Sequence, residues 1–346
     1  MAGGDPQLSR RTDSAHRSAA VPIAAIVMLL AAPGCTGGRE AVSPPGTSAV
    51  ATQPPAVVTT VPPEVEPPAE EAELPVADQQ LDVQRVLTDS QAIEDFGVRP
   101  VGSSAERKAT EMIARRFRDL GCTVRVEVFP VPGGKSRNLV VRIPGADSRV
   151  IVVGAHIDSK RGTPGANDDA VGVAMLVEYA RLLKARPAYP TVELVVFGGE
   201  EYNDGKPRDH HRGSRYRVKQ MTRTELRRTS GMISVDVIGY GPKLHVRTMG
   251  VGPRTMSDLL LSEADRLGVA LTYLKDPGPT GWSDHEPYEK AGVPAVWLER
   301  LQDPAYHKMS DTTDHLQVEH VRESGQLVLD VLRRLDAGKL DALARH

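Results

Sequence analysis

The sequence predicts an α/β fold, with a mostly parallel central sheet and helices on both faces. Two observations carry that expectation. Short β-branched runs such as 150–153 and 191–197 are apolar without strict alternation, as strands buried on both faces are. They alternate along the chain with stretches whose apolar residues recur every three to four positions, the period of a half-buried helix. A third observation says where chemistry would sit. Acids and histidines follow directly after several of these runs, and in open α/β sheets ligands bind beyond the carboxyl ends of the strands.

The first 77 residues do not fit that pattern. Residues 1–17 are polar and carry Arg10, Arg11 and Arg17, and 19–34 are apolar but short of the roughly 20 residues a membrane span needs. A basic stretch, an apolar stretch and a small-residue end read as an export signal over residues 1–35. Ala32-Pro33-Gly34-Cys35 resembles a bacterial lipoprotein box, in which Cys35 becomes the lipidated N-terminus, although Ala32 stands where leucine is usual. Plain secretion and an uncleaved anchor are the alternatives. The expected location is outside the cytoplasm, with membrane contact through a lipid anchor only. Residues 36–77 are dominated by Pro, Ala, Val, Thr, Ser and Glu with no helical or alternating period, the composition of a disordered tether.

The folded domain is expected over 78–346. In order, 80–94 and 105–120 read as helices, the second closed by Gly121. Residues 123–129 and 138–143 read as strands, then 150–153 as a buried strand, 170–183 as a helix and 191–197 as a strand. Helical stretches at 213–221 and 224–228 precede strands at 232–235 and 244–247. A helix at 256–267, a strand at 293–298 and a closing helix at 320–335 complete the chain. Aromatic residues make up 4% of the sequence, so the core must be aliphatic. A formal net charge of −2 with 25% charged residues gives no bulk field that would call for nucleic acid or an anionic membrane. Of the two cysteines, Cys35 belongs to the export region, and Cys122 reads as a small buried hydrophobe rather than a nucleophile.

The residues just past the apolar runs carry the chemistry. After 150–153 come His156 and Asp158, and then the pair Asp168-Asp169 after a glycine-rich turn. After 191–197 come Glu200 and Glu201. Asp236 follows 232–235, and Tyr306-His307 lies on a longer loop after 293–298. Acids concentrated at one rim would repel one another without cations. Imidazole and carboxylate donors without thiolate suit Zn²⁺, with Mn²⁺ or Co²⁺ also fitting. A bridging carboxylate plus two donors per metal would leave room for an acidified water, and an unligated carboxylate could take its proton. The neighbours Glu200 and Glu201 point in different directions and can divide those tasks.

Six segments share one further property. GAHIDS (154–159), GANDDA (165–170), GEE (199–201), Val235-Asp236, SDH (283–285) and Tyr306-His307 followed by Asp311-Thr312 come in the order found in a known family. Their sequence resembles the di-zinc exopeptidases of the aminopeptidase Y and bacterial leucyl aminopeptidase type, over about residues 99–316. The resemblance implies two zinc ions per chain, one on His156 and Asp236, the other on Glu201 and His307, with Asp168 bridging. It implies Glu200 as general base, Asp158 as the group fixing the His156 ring, and Asp311 in a like role near His307. Tyr306 would donate a hydrogen bond to the tetrahedral intermediate. A cis peptide between Asp168 and Asp169 is implied as well. The expected reaction is release of N-terminal amino acids from peptides with a free N-terminus.

One departure stands out. The family runs from its glutamate pair almost directly into a Gly-Ser helix start, whereas here residues 202–212 intervene before Gly213-Ser214. This polar insertion is expected beside the site, where it could shape substrate choice. His210 and His211 within it read as exposed loop residues outside any metal site. Asp284 and His285 read as supports rather than ligands, and Trp282 as pocket wall or plain packing. Three alternatives stay open: a single-zinc glutaminyl cyclase on the same fold, cleavage from the carboxyl end, and an inactive surface-tethered binding protein. Retention of all five ligand positions and of the Tyr306-His307 segment favours the hydrolase.

Overall fold

The chain folds inward from two capped helices, α1 (Val83–Glu94) and α2 (Ser104–Asp119). Asp82 and Ser103 cap them by accepting from first-turn amides. The structure, a computed structural model, describes residues 80–201 and 210–344. The export signal expected at 1–35, the tether at 36–77 and positions 202–209 of the insertion therefore lie outside the described residues. A hairpin follows α2, formed by β1 (Val124–Val131) and β2 (Gly134–Ile143). Next comes a parallel crossover of β3 (Asp147–His156), α3 (Val171–Ala185) and β4 (Pro190–Phe197). After the insertion the order is α4 (Arg212–Gln220), α5 (Arg223–Arg228), β5 (Thr229–Val235) and β6 (Lys243–Thr248). Then come α6 (Thr255–Leu267), β7 (Leu271–Lys275), α7 (His285–Lys290) and β8 (Ala295–Leu301). The helices α8 (Val318–Arg334) and α9 (Ala337–Leu343) close the chain.

The strands form one sheet in the order β1-β2-β4-β3-β5-β8-β6-β7. The pairs β4–β3, β3–β5, β5–β8 and β6–β7 are parallel, while β1–β2, β2–β4 and β8–β6 are antiparallel. The expected sheet is thus parallel at its centre and mixed towards its edges; the tight β1–β2 turn, with no room for a crossover, makes that pair antiparallel. Two aliphatic cores lie on opposite faces. The larger packs α1, α2, α3, α6, α8 and α9 against residues such as Ile151, Val153, Leu194 and Ile233. The smaller packs Val152, Val195 and Met232 against Tyr288 of α7 and Val218 of α4. Cys122, expected to be buried, is only partly so and packs against the edge of the larger core.

β7, α7 and α9 were not anticipated from the sequence. β7 is an edge strand with no fully buried position, so it carries no alternating signal, and the two helices are six and seven residues long. For function the central four strands matter most. β4, β3, β5 and β8 are neighbours and mutually parallel, so their carboxyl ends open on one rim. β3 sits where the order reverses, with β4 on one side and β5 on the other, the usual place for a ligand site in such sheets.

Candidate metal centre

Each strand end delivers a polar side chain to this rim. His156 is the last residue of β3 and lies opposite Phe197 of β4. The chain then turns through Gly165, whose φ of 62° favours glycine and where a Cβ would collide with the Asp168 carbonyl. Asp168 and Asp169 follow, joined by a cis peptide bond as the resemblance implied. Asp169 ties the strand end to the helix start, accepting from the amides of His156 at 3.0 Å and Gly172 at 3.2 Å. Glu200 and Glu201 follow β4, Asp236 follows β5, and His307 sits on the loop after β8 with φ of 58°.

Asp168 is the hub. Its Oδ1 is 3.0 Å from His156 Nε2, and its Oδ2 is 3.0 Å from His307 Nε2. His156 Nε2 is also 3.6 Å from Asp236 Oδ1, and His307 Nε2 is 3.2 Å from Glu201 Oε1. Two groups of donors result, each with ligand atoms within 4.8 Å of one another: His156, Asp168 and Asp236, and Asp168, Glu201 and His307. All five residues expected to bind metal are thereby brought together, and both groups share Asp168.

The residues fit zinc. Asp168 Oδ2 and Asp236 Oδ1 are buried and accept no hydrogen bond. The ionic partners of these two aspartates among the described residues are histidines only. Burial pushes the His156 pKa down, but Asp236 and Asp168 outweigh it and hold the ring well above the usual histidine value. His307, likewise opposed by burial, is raised to about 9 by Asp168 and Glu201. Asp168 itself stays below the ordinary carboxylate range, because the two histidines overcome its desolvation. The pocket favours positive charge at those ring nitrogens, and imidazole with carboxylate is a zinc donor set.

Several assigned roles need correction. Asp158 was expected to hold the His156 ring with its carboxylate. The ring Nδ1 instead meets the Asp158 backbone carbonyl at 3.0 Å, with the carboxylate 3.8 Å away. That carboxylate accepts from the amides of Glu200 at 3.0 Å and Glu201 at 3.1 Å, so it anchors the glutamate pair. Asp311 was expected beside His307. It accepts from the amides of Asn167 at 2.7 Å and Asp168 at 3.3 Å, bracing the Asp168 turn, while His307 Nδ1 faces Lys160 Nζ at 3.2 Å.

The two insertion histidines also depart from expectation. His210 is half-buried and His211 fully buried. The end of the insertion runs back along the glutamate pair, with His211 N donating to Glu200 O at 2.9 Å and Arg212 N to Gly199 O at 2.8 Å. His211 Nε2 lies 3.1 Å from Glu200 Oε1, and its Nδ1 lies 2.6 Å from Glu286 Oε2. Burial alone would depress the His211 pKa; Glu200 and Glu286 raise it to about 9. Glu200 is pushed up to about 8 by burial, against the pull of His211.

Three supporting residues were not singled out from the sequence. Arg99 is fully buried, and its guanidinium donates to the carbonyls of Ile157, Pro164 and Gly165, clamping the loop between His156 and Asp168. Ser283 Oγ donates to Asp236 Oδ2 at 2.7 Å. Glu286 ion-pairs with Arg215 and Lys290 behind His211. The Ser283-Asp-His285 segment was the available signal for the second of these. Asp284 and His285 act as supports, through Ser214 and Asp276 respectively.

Next to the metal groups is a cavity of about 150 Å³, lined by Val237, Arg247, Trp282, Trp297, Glu299 and Tyr306 among others. Arg247 lies 5.5 Å and 5.3 Å from the Trp282 and Trp297 ring centroids and pairs with Glu299 at 2.6 Å. Tyr306 stacks on His307 with centroids 3.8 Å apart. Trp282 is therefore a cavity wall. A larger cavity of about 500 Å³ by α1, α2 and α3 contains none of the rim residues.

Comparison with known proteins gives a consistent picture. The model of peptidase family M28 matches residues 138–332. Aminopeptidase YwaD of Bacillus subtilis (strain 168) is 28% identical over 190 residues, 52% of this chain and 39% of that protein. Leupeptin-inactivating enzyme 1 of Streptomyces exfoliatus is 28% identical over 210 residues, 60% of this chain and 45% of that protein. The chain thus spans less than half the length of these two curated relatives. Among solved structures, BSAP, a zinc aminopeptidase from Bacillus subtilis, superposes with a TM-score of 0.66 at 17% identity, covering 73% of this chain and 95% of that one. The glutaminyl cyclase of Tannerella forsythia gives 0.64 at 20% identity, covering 74% and 100%. At such identities the structural matches speak for the fold alone.

Proposed function

Because this chain belongs to peptidase family M28, we propose that it hydrolyses peptide bonds with two zinc ions, releasing N-terminal amino acids from peptides with a free N-terminus. The observation that carries this reading is the Asp168 carboxylate, with one oxygen 3.0 Å from His156 and the other 3.0 Å from His307. His156 and Asp236 would hold one ion, Glu201 and His307 the other, and Asp168 both. Mn²⁺ or Co²⁺ also suits this donor set. When bound, zinc supplies Lewis-acid polarisation of the scissile carbonyl and acidifies water.

The remaining work belongs to the chain's own side chains. Glu200 takes the proton of the attacking water on a carboxylate oxygen and delivers it to the leaving amine nitrogen. Burial raises Glu200 above the ordinary carboxylate range, which makes its ionised form a stronger proton acceptor than an exposed glutamate. Asp158 keeps the two glutamates apart in direction by holding both their amides. His211, backed by Glu286, orients the Glu200 carboxylate through Oε1. Ser283 orients Asp236. Tyr306, next to His307, is assigned the hydrogen bond to the developing oxyanion. The Trp282-lined cavity would receive the side chain of the residue being released.

The cyclase reading retains support from the fold, which this chain shares with a glutaminyl cyclase. It needs only one of the two donor groups, whereas both are complete here. A panel of aminoacyl-p-nitroanilides, their N-acetylated forms and glutaminyl peptides, each with and without chelator, separates the readings. Chelator-sensitive release from free-amine substrates is expected. Cyclisation of glutaminyl peptides without nitroaniline release would overturn the hydrolase. As part of the same proposal, residues 1–35 export the chain and Cys35 carries a lipid. Cys35→Ser should then move the protein from the membrane fraction to the medium, and an unchanged partition would refute the anchor.

A further inference from the structure

The glutamate read above as the general base belongs to one more cluster of donors, formed with the two histidines just before α4. We propose that Glu200, His210 and His211 form an additional zinc site, distinct from the two catalytic positions, whose occupation disables the enzyme. One ligand atom from each residue lies within 4.8 Å of the others. Two imidazoles and a carboxylate are a known three-residue zinc set with an open fourth position. His210 is the half-buried member of the group, and zinc binding would draw the three donors to bonds of about 2.0–2.2 Å.

The support behind His211 is what a zinc ligand needs. Its Nδ1 lies 2.6 Å from Glu286 Oε2, and the salt bridges of Glu286 to Arg215 and Lys290 keep that carboxylate charged. A carboxylate accepting from Nδ1–H leaves Nε2 as the atom that would bind a metal in exchange for its proton, the arrangement commonly found behind metal-bound histidines. His211 Nε2 is buried and points towards Glu200, whose Oε1 is 3.1 Å away. The His210 ring lies beside it, with centroids 5.2 Å apart and planes tilted by 43°.

This inference rests on Glu200 as the base. A cation seated here occupies the carboxylate that would otherwise accept the proton of the attacking water. Zinc at the catalytic complement would therefore support turnover, and zinc in excess would suppress it. Imidazole donors favour Zn²⁺ over Mg²⁺ or Ca²⁺, so the suppression is metal-selective.

The test is equilibrium dialysis of the zinc-loaded protein against buffered free Zn²⁺, reading bound zinc and initial rate in the same samples. Each variant is normalised to its own rate at the catalytic complement. The wild type should take up one further equivalent, with the rate falling at the same midpoint, and excess Mg²⁺ should have no effect. His210→Ala should move that midpoint at least about tenfold higher, and Glu286→Gln about 10–100-fold, the scale on which groups behind a ligand act. Both should retain the catalytic complement, which reports that they have folded. Absence of a further equivalent, or the same midpoint in both variants, overturns the site. Stoichiometry is read without substrate, so a chain inactive on peptides would sink the proposed function and leave this measurement standing.

Discussion

Two buried charge clusters in this molecule are built on opposite principles. Between β1, β2, β4 and α4, Arg217 reaches Glu127 at 2.7 Å and also pairs with Glu193. Arg142 reaches the other oxygen of Glu193 at 3.0 Å, and Asn138 donates to Glu127 Oε2 at 3.1 Å. Each carboxylate oxygen has a donor from the protein itself. At the rim, Asp168 and Asp236 have only histidines as ionic partners among the described residues, and each leaves a buried oxygen without a hydrogen bond. The first cluster gives every carboxylate oxygen a donor and leaves, among the described residues, only a nitrogen, Arg217 Nε, without a partner; the second leaves carboxylate oxygens open, as a cation site would. Backbone strain follows the same division. The non-glycine residues with positive φ among the described residues are His211, Val237, Gln302 and His307, at 55°, 58°, 72° and 58°. All of them border the rim or its cavity, and strain of this kind persists only where the surrounding structure over-determines it.

The contrast can be broken from either side. The largest effect should come from Asp168→Asn, which removes the carboxylate common to both donor groups. Loss of several kcal/mol of Lewis-acid assistance predicts a fall in kcat/KM of about 10⁴-fold or more. Zinc analysis of the same sample should show depleted metal in a folded protein. Glu200→Gln should lower kcat by about 10²–10⁴-fold, with zinc content and KM close to wild type; a variant as active as wild type would remove Glu200 from the mechanism. In the self-neutralised cluster, Arg217→Met should cost about 3–5 kcal/mol of stability, the usual result of stranding buried charges. Denaturant melts would read that loss, and the folded fraction should keep its zinc. The smallest effect is assigned to Ser283→Ala, which frees Asp236 Oδ2. Zinc affinity should weaken by about 10–100-fold, measured by competition with a chromophoric chelator.

Much of the rim was legible in the sequence because strand ends are marked twice, by the stop of an apolar run and by the polar residue that follows. His156, Glu200, Glu201 and Asp236 all carry that double mark. His307 lies on a longer loop and owed its assignment to the resemblance. What escaped depends on tertiary contacts. Whether the Asp158 carboxylate or its carbonyl meets His156 is decided by how the chain turns after β3, and spacing does not encode that. His211 looked like a solvated loop residue because its partners, Glu200 and Glu286, are respectively eleven and seventy-five residues away. Arg99 was hidden by its type, since arginine is seldom fully buried. Here it is, because it satisfies carbonyls that the loop between His156 and Asp168 leaves inside.

The difference between the clusters also says how stability should respond to metal. Chelation should lower the melting temperature of the wild type and leave that of Asp168→Asn nearly unmoved, because only a fold that binds the ion gains from it. The central claim, that the rim is a two-ion hydrolytic site, is tested most directly by titrating metal-free protein with Zn²⁺ while following release from an aminoacyl-p-nitroanilide. Activity should climb until two equivalents per chain are bound. Full activity at one equivalent, with no second tight site, would contradict it.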